Sequence, residues 1–213
     1  MRIRITFSKS DAMRYIGHLD LFRSWERTFR RSGLPLAYSL GFHPQPRLNL
    51  ACALPLGFTS ECEILDAWLE YDIELPQINE TIRTVLPPGL EIKKIELIDI
   101  QSPALQTQVI SAVYVISFLD KITDLFARLQ RIQSAEHLFR QRRNKSYDLR
   151  PLIEQITLVP NPEGGDQKLR VQLSARESAT GRPEEVLDEM NIKFENTRVH
   201  REMLIFKSQP NCL

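Results

Sequence analysis

The chain is poor in the residues that build redox and metal centres. Its cysteines are Cys52, Cys62 and Cys212 alone. They are too few and too scattered for a disulfide framework, and no Cys-x-x-Cys pair suggests structural zinc. The spacings Gly-x-x-x-x-Gly-Lys and Gly-x-Gly-x-x-Gly are missing, so nucleotide hydrolysis and dinucleotide binding have no support. Ser39 and Cys52 sit in no nucleophile-elbow spacing such as Gly-x-Ser-x-Gly. No run of about 18 apolar residues is present to span a bilayer, and Met1 to Lys9 alternates charged with apolar residues where a signal peptide has a continuous apolar block. The expected compartment is the cytoplasm, with no membrane partner. Net charge is also nearly absent, since 28 Lys plus Arg stand against 27 Asp plus Glu.

The balance dissolves when the chain is cut into segments. Residues 1–50 carry 9 basic and 3 acidic side chains, a net +6. Residues 51–100 carry 3 and 10 (−7), residues 101–150 carry 8 and 4 (+4), and residues 151–213 carry 8 and 10 (−2). Fields are set by local clusters and screened over roughly 10 Å, so two basic blocks and one acidic block imply faces with different partners.

Hydrophobic periodicity supplies the elements. Ile3, Ile5 and Phe7 alternate with Arg2, Arg4 and Thr6, the period of a half-buried strand. From Leu19 to Arg31 the apolar Leu21, Phe22, Trp25 and Phe29 share one helix face and Arg23, Arg27, Arg30 and Arg31 the other. Gly33 and Pro35 stop this helix, and Tyr38 to Arg47 reads as a loop. Strands are expected over Leu48 to Leu54 and Leu65 to Tyr71, a helix over Pro76 to Leu86 and a strand over Ile92 to Ile98. Residues 99–110 read as a linker, after which the order repeats. A strand at Val113 to Leu119 and a helix at Thr123 to Ser134 lead into an extended segment, His137 to Val159, interrupted near Leu149 to Ile153. A turn at Asn161 to Asp166, a strand at Leu169 to Ala175, a helix at Pro183 to Met190 and a strand at Arg198 to Phe206 complete the chain. The economical reading is α+β: two tandem ferredoxin-like (βαββαβ) units, residues 1–100 and 111–213.

The residues that could carry chemistry crowd into the positive blocks. Arg14, Tyr15, His18, Arg23, Arg27, Arg30, Arg31, Tyr38, His43 and Arg47 interleave basic, aromatic and imidazole groups. Arg140, Arg142, Arg143, Lys145 and Tyr147 form a second such run. This mixture neutralises phosphates and offers flat faces on which bases stack, which points to RNA or phosphate binding. A solvated helix face and a hairpin tip are the competing structural readings. His18 and His43 are the candidates for proton transfer, because imidazole titrates near neutrality. The acidic series Glu61, Glu63, Asp66, Glu70, Asp72 and Glu74 spreads over about 40 Å if extended, too far for one metal site, and reads as a solvated or partner-facing edge.

At Arg14-Tyr15-Ile16-Gly17-His18-Leu19-Asp20, Gly33-Leu34-Pro35, Tyr38-Ser39, Gly41-Phe42-His43-Pro44 and Leu54-Pro55-Leu56-Gly57, with Ser60 and Glu63, the sequence resembles a bacterial family of radical-SAM-associated proteins. These are small partners of, or C-terminal fusions to, a radical S-adenosylmethionine enzyme. Gly17 stands where that family usually has serine, and His43 comes early in its motif. The resemblance implies a radical-SAM partner that carries the iron–sulfur cluster and S-adenosylmethionine, with no cofactor in this chain. The double unit order is also similar to that of CRISPR repeat-processing endoribonucleases, at the level of fold alone.

The leading expectation is an accessory protein that presents RNA to a radical-SAM enzyme through the basic surface and docks a partner through Glu61, Glu63, Asp66 and Glu70. A metal-independent RNA-processing enzyme using His18 or His43, and a pure protein-interaction scaffold, are the alternatives.

Overall fold

A computed structural model describes residues 1–142, 144–160 and 167–207. The turn expected at Asn161 to Asp166, as well as Arg143 and Cys212, falls outside the described residues. The chain is mixed α+β, and its strands pair mostly antiparallel. It divides into two units, Met1–Gln108 and Val109–Leu213.

In the first unit β1 (Arg2–Lys9) is followed by α1 (His18–Ser32), β2 (Leu48–Leu50), β3 (Thr59–Trp68), α2 (Leu75–Val85), β4 (Leu90–Ile98) and the short α3 (Leu105–Gln108). β1 lies between β3 and β4, and β2 pairs with the other edge of β3. The register places Ile3 opposite Ala67 and Ile5 opposite Leu65, so both strands turn an apolar row to the same face. That row is covered by Leu21, Trp25 and Phe29 of α1 and by Ile78 and Ile82 of α2, all buried in one core. Phe7 and Trp25 meet edge to face at 4.8 Å. Removing such a ring, as in Trp25→Ala, costs about 3–5 kcal/mol. α1 ends at Gly33, whose φ of 68° is the left-handed cap that a glycine adopts without strain. β2 stops at Leu50, short of the expected Leu54, because the chain bends at Ala51 and Cys52. β3 begins at Thr59, six residues before the expected start.

In the second unit β5 (Val109–Phe118) is followed by α4 (Leu125–Ser134), a hairpin of β6 (Phe139–Arg142) and β7 (Lys145–Asp148), β8 (Ile153–Val159), β9 (Lys168–Arg176), β10 (Ala179–Thr180), α5 (Pro183–Glu189) and β11 (Thr197–Phe206). β5 lies between β9 and β11, and β8 and β10 both pair with β9. Its buried set includes Val113, Leu129, Ile132, Val171, Leu173, Val186 and Leu187, drawn from the sheet, α4 and α5. β6 and β7 form a separate two-stranded ribbon. The interruption expected near Leu149 to Ile153 is a 3₁₀ turn at Arg150–Leu152.

Candidate functional site

The outward face of α1 is built by helical spacing alone. With Leu21, Trp25 and Phe29 buried, residues 23, 27 and 30 must point away from the core, and all three arginines are exposed. Arg23 Nη1 lies 3.3 Å from the exposed Asp20 carboxylate one turn earlier. Arg31 Nη2 donates to the Val85 carbonyl at 3.0 Å and so ties α1 to the end of α2. The side chains of Arg27 and Arg30 have no hydrogen-bond or ion-pair partner among the described residues. Three positions apart on a helix they are neighbours, and like charges so placed repel. An anion laid along α1 relieves that repulsion.

The residues of the N-terminal motif do not form one site. The Gly57 N–H donates to the Arg14 carbonyl at 3.0 Å, and Lys9 Nζ donates to the carbonyls of Phe58 at 3.0 Å and Arg14 at 3.3 Å. These bonds hold the Arg14 to His18 loop at the Thr59 end of β3. Arg14 itself is mostly buried and paired with Asp11 at 2.6 Å. His18 is half-buried at the start of α1. At the far end of β3, the Trp68 N–H donates to the Arg47 carbonyl at 3.1 Å and the Ala37 N–H to the Trp68 carbonyl at 2.8 Å. Tyr38, His43 and Arg47 therefore hang from the opposite end of a ten-residue strand, about 30 Å long. All three are exposed. The Arg47 guanidinium lies over the Trp68 ring, 5.0 Å from its centre, and Arg2 lies 4.8 Å from the same ring.

Two arginines of the second basic run are already paired with carboxylates. Arg140 reaches Glu189 and Asp188 at 2.8 Å each. Arg142 reaches Glu185 at 2.6 Å, the Thr180 carbonyl at 3.1 Å and the Tyr147 hydroxyl at 3.2 Å. Burial works against both charges, yet the carboxylates hold both guanidinium pKa values above the ordinary one. Burial, together with Glu185, raises Tyr147 in turn. Both guanidinium groups, expected on a phosphate surface, are engaged within the fold, where they clamp the β6–β7 ribbon onto α5. Lys145 is exposed at the turn. The ribbon's base is fixed by Asp148, which lies 2.8 Å from His137 Nδ1 and accepts the Leu138 N–H at 2.8 Å. The imidazole hydrogen bond and that N–H hold its carboxyl below the usual range.

The acidic series is divided by burial. Glu61 and Glu70 are exposed, but Glu63 and Asp66 are buried in β3 and offer no carboxylate for docking. Asp66 is fully enclosed, with Arg2 Nη2 at 2.6 Å and Arg4 Nε at 2.8 Å. Arg2 also donates to the carbonyls of Ser102 at 2.6 Å and Pro103 at 3.1 Å, tying residues 102–103 to β1. This Arg2–Asp66–Arg4 cluster was not legible in the sequence, because it needs the β1–β3 register that sets Arg4 opposite Asp66.

Among the described residues no group of three or more His, Cys, Asp or Glu is placed to hold a metal ion. The first unit has a cavity of about 840 Å³ beside Ser32, Gly33, Leu34, Tyr71, Asp72 and Glu74, at the C-terminal end of α1. No described helix is long and apolar enough to cross a membrane.

An α+β chain with a cationic helix face on an antiparallel sheet is the class defined by these observations. The chain belongs to a bacterial family described as "Uncharacterized protein conserved in bacteria (DUF2344)", which matches residues 2–183. Among curated proteins, none matches this chain.

Proposed function

We propose that the protein is a non-catalytic accessory module that binds RNA through the α1 face and presents it to a radical-SAM enzyme. The observation that carries the RNA half is Arg27 and Arg30, whose exposed side chains have no partner among the described residues, where those of Arg14, Arg23, Arg31, Arg140 and Arg142 are engaged. The radical-SAM half rests on the motif resemblance at Arg14 to Asp20 and Tyr38 to Pro44. Each unit is further proposed to be ferredoxin-like. The sheet order β4-β1-β3-β2 in the first and β11-β5-β9-β8 in the second supports this, with the β6–β7 ribbon as an insertion.

A filter-binding titration with bulk cellular RNA tests the reading. Binding is expected at about 50 mM salt and falls steeply towards about 200 mM, since each neutralised phosphate releases counterions. Arg27→Ala/Arg30→Ala lowers the slope of log affinity against log salt by about 2. Affinity indifferent to salt, or absent at low salt, rejects RNA binding. Co-purification of a radical-SAM protein after nuclease treatment tests the partner, and its absence rejects that half alone.

A further inference from the structure

We infer that the Tyr38–Arg47 loop is a base-stacking finger, which makes single-stranded RNA the ligand of the α1 face; the inference rests on the RNA reading above. The loop is a closed hairpin. Tyr38 and Pro46 form an antiparallel bridge, the Ser39 N–H donates to the Gln45 carbonyl at 2.8 Å, and the Gln45 N–H donates to Ser39 Oγ at 2.9 Å. Residues 40–44 form its tip. There the Leu40 and Phe42 side chains are as exposed as in an unfolded chain, at 102% each. An apolar side chain left in water contributes nothing to folding, so the Phe42 ring gains only when something outside the chain covers it. Pro44 and Pro46 fix φ on one limb, which lowers the ordering cost of that covering.

The surroundings select what covers it. His43 is the next residue in the chain, Arg47 is exposed at the base of the hairpin, and Arg31 in the last turn of α1 is seven residues from Tyr38, at most ~25 Å of chain. An aromatic face among cations suits an unpaired base on its phosphate backbone, because every base has a π-face and every nucleotide a charge. A duplex keeps its base faces stacked inside, so it would use Arg27 and Arg30 but not Phe42. A purely apolar protein partner would cover Phe42 without using the arginines.

Fluorescence anisotropy with an unstructured uridine oligomer of about 12 nucleotides, and with an RNA duplex of the same length, separates these cases. The single strand is expected to bind more tightly. Phe42→Ala weakens it about tenfold, leaves duplex binding within about twofold, and leaves the salt slope unchanged, because stacking releases no counterions. Phe42→Trp keeps the affinity, and Leu40→Ala, which removes no π-face, changes it less than about twofold. Phe42→Ala without effect on the strand, or with equal loss on strand and duplex, overturns the finger while RNA binding stands. Wild-type protein that binds neither nucleic acid overturns the RNA reading and the finger with it. The variants alter a side chain with no contacts, so an unchanged melting curve shows that they fold.

Discussion

Arg27 and Arg30 on α1 and Arg140 and Arg142 on β6 are chemically identical groups in similarly basic stretches, and the fold treats them in opposite ways. The α1 pair faces water unpaired, while the β6 pair is spent on carboxylates of Glu185, Asp188 and Glu189. Those partners lie more than 40 residues further along the chain. Local charge density therefore says how many cations a segment owns, and only tertiary pairing says how many it can offer to a ligand. A guanidinium already bidentate to carboxylates must lose those bonds before it can take a phosphate.

The largest effect belongs to the most committed arginines of all. Asp66→Ala is expected to cost about 3–5 kcal/mol in urea unfolding, because it leaves Arg2 buried and charged without its anion. A loss below about 1 kcal/mol would mean that Arg2 finds water, and the scale from committed to free cations would collapse at its upper end. Next comes Arg142→Ala, which strands the half-buried Glu185 and frees the ribbon from α5. A loss of about 2 kcal/mol is expected, with RNA affinity within about twofold of wild type. Weaker RNA binding at unchanged stability would erase the contrast between the two regions.

The sequence made the strand at Ile3 to Phe7 and the α1 helix legible because both bury one face, so hydrophobic period and burial agree: Ile3, Ile5, Phe7, Leu21, Trp25 and Phe29 are all buried. It also showed the bare face of α1, since that face is fixed by the same 100° step. The β6–β7 ribbon falls within the segment read as extended, but its attachment was hidden: side chains of α5 hold it, and such pairing leaves no trace in local pattern. Asp66 misled for the converse reason. An acid on an alternating strand reads as solvent-facing, yet β3 is covered there by arginines from the neighbouring β1. The Tyr38 to Arg47 loop was recognised from its Gly and Pro residues, but its distance from His18 depends on the length of β3 and could not be read from a motif list.

A smaller effect tests the acidic end of the same clamp. Burial raises the Glu184 carboxyl above its ordinary 4.5, beside the Glu185 that holds Arg142. The folded state then binds this proton more tightly than the unfolded one, so stability falls as pH rises through the window from 4.5 upward. Glu184→Gln removes that deficit. The variant is expected to be more stable at pH 7 by roughly 0.5 kcal/mol, a gain reduced by the favourable helix N-terminus and lost below about pH 4. A gain that persists unchanged in acid would place its cause elsewhere than in the charge.

The smallest stability change should come from the pair on which function is placed. Arg27→Ala/Arg30→Ala removes two exposed side chains with no described bonds, and alanine is the better helix former, so urea midpoints should move by less than about 0.5 kcal/mol in either direction. Relief of the repulsion between the two charges even favours the variant slightly at low salt, and that advantage should shrink as salt screens it. Stability and binding thus separate in opposite senses across the two regions. In β6, losing arginine costs the fold and spares the ligand; in α1, it spares the fold and costs the ligand. If the α1 double variant instead lost more than about 1.5 kcal/mol, its arginines would be structural like those of β6, and the α1 face would lose its claim to be free for RNA.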